Sequence, residues 1–141
     1  MDRRMLITPG DVSVGVALAE STVADGWKVA LTVAGESTPA ERKEAPYLIR
    51  SNVRSVLSAR KALLTCVNAL EGLDAAVVVH EAVQDQRPIH ELSPVAIEEY
   101  IDHRLKALFF MLREILSLFV RQGSGILAMV NYVPQESTLL P

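Results

Sequence analysis

The chain alternates short runs rich in β-branched and aliphatic residues with longer stretches in which apolar positions recur every three or four residues. The first short run is Met5 to Thr8. A helical pattern from Val14 to Asp25 follows, with Val14, Ala17, Leu18 and Val23 apolar, and Gly26 stops it. Trp27 to Ala34 reads as a second strand, with Val29, Leu31 and Val33 on one face and Ala30 on the other. The polar stretch from Gly35 to Ala45 reads as a loop. A third strand, Tyr47 to Arg50, precedes Ser55, whose side chain suits the cap of a helix from Val56 to Leu70 that stops at Gly72. Ala75 to Val79 is apolar without interruption, as a parallel strand covered on both faces must be, and is expected in the middle of the sheet. Ser93-Pro94 supplies an N-cap and a first-turn proline for the longest helix, Pro94 to Arg121, which Gly123 closes; Ile126 to Val130 is the last strand.

Strands alternating with helices predict an α/β fold with a parallel sheet, because parallel neighbours need a crossover and a helix is the usual one. The expected architecture is one domain over residues 1–141: a Rossmann-like, three-layer, doubly wound sheet of five strands in the order 3-2-1-4-5. Half of the residues are hydrophobic, enough for a real core, and the net charge of −3 is interspersed. With no basic face, nucleic acid is excluded as a partner. The three apolar residues after Asp2-Arg3-Arg4 are too few for a signal-peptide core, and no uncharged run approaches the roughly 18 residues of a membrane span. A soluble, untargeted chain in a reducing cytoplasm, without membrane contact, is the expectation, and its single cysteine, Cys66, fits a small buried hydrophobe.

The loop Thr8-Pro9-Gly10-Asp11-Val12-Ser13-Val14-Gly15 resembles the Thr-Gly-x-x-x-Gly-x-Gly turn that opens the short-chain dehydrogenase/reductase family. Gly72-Leu73-Asp74, Glu91-Leu92-Ser93-Pro94, Asp102 to Phe109 and Arg121-Gln122-Gly123-Ser124-Gly125 also look like that family. The resemblance implies a cleft for NAD(P) bordered by Gly10, Ser13, Gly15, Asn52 and His80, with Asn52-Val53 at the adenine end. It also shows where this chain departs from the family pattern. Pro9 and Ser13 stand at two of three glycine positions, where glycine lets pyrophosphate lie against bare peptide. His80-Glu81-Ala82-Val83 replaces Asn-Asn-Ala-Gly, and Val83 is expected to crowd the cofactor side. Arg104 falls at the helix asparagine, and Asn131 or Tyr132 falls near the catalytic serine. After the second strand, Val33-Ala34-Gly35 offers no ribose or phosphate partner; Glu36 comes late, and Arg42 and Lys43 are the nearest cations.

No Tyr-x-x-x-Lys occurs in the 141 residues. Carbonyl reduction in that family uses a tyrosine acid assisted by a lysine, because an unassisted phenol near pKa ~10 is a poor proton shuttle at neutral pH. The sequence therefore predicts no catalytic residue, no cofactor or a weakly held NAD(P), and a non-catalytic, oligomeric binding or structural domain. The alternative is an NAD(P)-binding oxidoreductase, inactive alone or completed by a partner chain. His80 and Glu81 sit where open α/β sheets bind ligands, although a paired, satisfied loop histidine is the plainer expectation. His90 and His103 share no helix face with a carboxylate at ligand spacing, so no metal site is expected.

In the long helix, Ile97, Ile101, Leu105, Leu108, Leu112, Ile115 and Phe119 make a stripe for packing on the sheet. A second set, Ala107, Phe110, Met111, Leu116, Leu118 and Val120, exceeds what one sheet face can cover. This predicts a homodimer through the long helix, or docking on a full-length relative. Phe110, Met111 and Leu118 are then expected at the interface, with Arg104, Lys106, Arg113 and Glu114 at its border.

Overall fold

The computed structural model describes residues 3–10, 13–34, 46–81 and 87–132, with the side chains of Ser13 and Glu81 left aside. In chain order the elements are β1 (Arg4–Thr8), α1 (Ser13–Ala24), β2 (Lys28–Val33), β3 (Tyr47–Arg50), α2 (Val56–Leu70) and β4 (Ala75–Glu81). A short 3-10 turn, Ile89–Glu91, then leads to α3 (Pro94–Tyr100), α4 (Lys106–Gln122) and β5 (Ile126–Tyr132). The strands form one parallel sheet in the order β3-β2-β1-β4-β5, as the alternation predicts. β1, not β4, is the middle strand: Met5 lies opposite Val29 on one side and Ala75 on the other. The continuous apolar run of β4 has the cause expected of it, since β4 lies inside the sheet between β1 and β5 and is covered on both faces.

Both faces of the sheet are apolar, and the side-chain alternation of the strands sorts them into two cores. Leu6, Ala30, Ala76 and Val78 point to the layer made by α2 and α4, where they meet Leu63, Cys66 and Ile115. Ile7, Val29, Leu31 and Val77 point to the other layer and meet Ala19 of α1. Cys66 is wholly inaccessible and behaves as the small hydrophobe expected; burial pushes its thiol up to about 12, so it stays protonated and unreactive. At the amino end of the sheet Arg4 grips Asp74 with both arms of its guanidinium, Nε to Oδ2 at 2.9 Å and Nη2 to Oδ1 at 3.1 Å. That grip, with the Arg4 backbone N–H also donating to the carboxylate, holds the Asp74 carboxyl below the usual carboxylate range.

The caps lie where the sequence puts them. Ser55 accepts from the Ser58 backbone N–H and the Ser58 hydroxyl accepts from that of Ser55, while Ser93 accepts from Ala96. The expected single helix from Pro94 to Arg121 is divided, however, by a π-helical turn at Ile101–Leu105, in which the Lys106 N–H reaches back to the Ile101 carbonyl. The wide turn changes which residues face the sheet. Ile97 and Ile101, expected on the packing stripe, are 36% and 39% exposed, and burial begins only at Met111. Met111 itself, expected between subunits, lies in the core with Ile115 and Phe119, because it stands one and two regular turns before them on the same face of α4. Phe110 and Leu118 pack against the same core from its edge. Glu114, expected at an interface border, is buried and paired with Arg60 of α2.

Candidate functional site

A doubly wound sheet exposes a crevice where strand order reverses, here between β1 and β4, because the following helices leave to opposite faces. A cavity of about 490 Å³ opens there, at the carboxyl ends of the strands. Its β1 and β2 side is made by Thr8, Pro9 and Thr32, and its β3 side by Ser51, Asn52 and Val53. Val78, Val79 and His80 of β4 form the floor, and a face of the π turn and α4 closes it with His103, Arg104, Ala107, Leu108 and Met111. Thr8 and Thr32 are both buried and satisfy one another through a hydroxyl bond of 2.6 Å. The chain thus brings Asn52 and His80, two of the residues singled out in the sequence, to one cavity with the Thr8-Pro9 end of the loop.

The glycine-rich turn is built differently from a pyrophosphate cradle. The Gly10 N–H donates to the Thr32 carbonyl at 2.6 Å, and Pro9 has no N–H to offer. A side chain on Gly10 would press on Leu31, 2.6 Å from its Cβ, and one on Gly15 would lie 3.0 Å from both the Pro9 carbonyl oxygen and the Gly10 Cα. Packing of β1, α1 and β2 upon one another accounts for both glycines. The described part of the turn therefore offers a pyrophosphate no N–H from Pro9 or Gly10, whereas Asn52 and Val53 line the cavity at the β3 end. Ser13 begins α1, and Asp11, Val12, Glu36, Arg42, Lys43 and Val83 lie outside the described residues.

His80 does not follow the plainer expectation of a satisfied loop histidine. It lies within β4 opposite Asn131 of β5, and its Nε2 is buried without a hydrogen-bond partner among the described residues. Arg104, which the sequence marks only as a departure from the family pattern, and His103, weighed there only as a metal ligand, join it in the cavity. The signal that could have found them is the π turn, which no apolar periodicity shows in advance. Asp102 points elsewhere and pairs with Lys106 at 2.7 Å, and that cation holds its carboxyl below the usual range. Among the described residues no group of three or more metal-ligating side chains comes together. None of the described helices is long and apolar enough to cross a membrane.

The order of the strands and the placing of the cleft define a Rossmann-type domain. Residues 3–133 match the family of short chain dehydrogenases, and the chain belongs to the short-chain dehydrogenase/reductase family of oxidoreductases, which bind NAD(P). It is 31% identical over 140 residues to the Probable galactose dehydrogenase GalD of Rhizobium meliloti (strain 1021), covering 93% of this chain and 53% of that protein. Levodione reductase superposes with a TM-score of 0.74 at 21% identity, over 92% of this chain and 54% of the other. A dehydrogenase from Burkholderia cenocepacia with bound NADP superposes at 0.69 with 18% identity, over 80% and 46% of the two chains. The chain spans about half the length of the curated relative it matches.

Proposed function

We propose that this chain forms the nucleotide-side half of the site of an NAD(P)-linked oxidoreductase, with the proton-donating tyrosine and lysine supplied by polypeptide outside these 141 residues. The observation that carries this reading is the family match over residues 3–133, laid onto a cleft at the carboxyl ends of β1 and β4. The relative's name makes an aldose such as galactose the first substrate to assay. Fusing residues 1–132 to the part of the Rhizobium protein beyond the matched region tests it. The chimera should oxidise galactose with NAD(P) and the chain alone should not; a folded chimera without activity overturns the proposal.

A second reading, a non-catalytic binding or structural domain, draws its support from the turn, where Pro9 lacks a donor and the Gly10 amide is already bonded. Two missing donors, at ~1–3 kcal/mol each, weaken a dinucleotide by roughly a hundredfold. A fluorescence titration with NADH should accordingly give a dissociation constant above about 100 μM, against the micromolar values of a tight site. A micromolar constant would remove this second reading.

The chain is also proposed to pair with a second copy of itself. Phe109, Leu116 and Val120 recur on one stripe of α4 and are 64%, 46% and 80% exposed. They replace Met111, Phe110 and Leu118 as the contact, since those three already pack on the chain's own core. Changing Phe109 and Leu116 to glutamate should turn a dimer into a monomer by light scattering, with circular dichroism unchanged. A monomeric parent at tens of micromolar would rule pairing out.

A further inference from the structure

We draw no further inference here: the strongest candidate, the apolar surface patch on the edge strand β5 where Ile126 and Met129 are exposed, carries nothing because nothing among the described residues shows what covers it.

Discussion

Gly125→Ala is expected to destabilise the protein by about 3–5 kcal/mol, a large part of the 5–15 kcal/mol that holds a domain of this size together. Gly125 joins α4 to β5 at φ +155, and a Cβ there would enter the ring of Phe119. Phe119 cannot move aside cheaply, because it is 7% exposed and packed into the core beneath α2 and β4. The joint is fixed from the other side too: the Gln122 side-chain amide donates to the carbonyls of Leu73 and Ser124 at 2.9 and 2.7 Å. Gly123, two residues earlier, supplies the control. It is also left-handed, at φ +75, but nothing lies within 4 Å of a Cβ placed on it, so Gly123→Ala should cost only about 1 kcal/mol of backbone strain. Urea denaturation of the two variants separates strain from collision. If Gly125→Ala came within the error of Gly123→Ala, the packing of the ring against bare backbone would not be what fixes this joint.

The contrast between these glycines shows how far the chain could be read before folding. The five strands and the helix caps follow from local signals, β-branched runs of four to seven residues, serine before a periodic stretch and glycine after it, and the strand order from the strand–helix alternation with right-handed crossovers. These signals act within a few residues, so a linear reading captures them. What it misses depends on phase and on distance. The π turn shifts the phase of the long helix by one residue, so that Ile97 and Ile101 before it stay outside while the face of Met111, Ile115 and Phe119 after it is buried, and Arg104 lines the cleft. Glu114 looks like a surface charge on the helix; only the tertiary fold puts Arg60 of α2 over it, 54 residues away. In the cleft, Asn52 and His80 were legible because strand ends are where such sheets bind ligands, but the unpaired Nε2 of His80 and its meeting with Arg104 were not.

Packing of β1, α1 and β2 explains the uneven state of the family's site in this chain. Gly10 and Gly15 remain where β1, α1 and β2 must approach closely, which any ligand-free version of the fold also needs. Where the demand is for an open donor, Pro9 and the bonded Gly10 amide fail to meet it. Packing glycines and binding glycines are thus told apart by what a Cβ would strike, and here both strike protein.

Arg60→Gln should cost about 2–3 kcal/mol at neutral pH, through the carboxylate it leaves behind. The Glu114 side chain is 6% exposed, and Arg60 grips it with Nε at 3.3 Å and Nη2 at 3.1 Å, while Arg113 adds one contact at 2.9 Å. Arg60 is half exposed and loses little on release, so the damage lies in the desolvated acid and in the lost tie between α2 and α4. The hydrogen bonds from Arg60 hold the Glu114 carboxyl below its ordinary range, against a burial effect in the opposite direction. A depressed pKa in the folded state contributes stability that is present above the unfolded value, near ~4.3, and is lost as pH falls through the folded one. The gap between parent and variant should therefore be widest at neutral pH and close as the pH falls through and below the ordinary carboxylate range, where Glu114 takes up a proton and its need for a cation ends. Asp74, also depressed by its arginine, weakens both proteins alike in acid and cancels from the difference. Adding Glu114→Gln to Arg60→Gln should restore part of the loss at neutral pH, since an amide is cheaper to bury than a carboxylate left with Arg113 alone. A gap that stayed constant from pH 7 to 3.5, in denaturation followed by circular dichroism, would show that Arg60 acts through its aliphatic stem and not through Glu114.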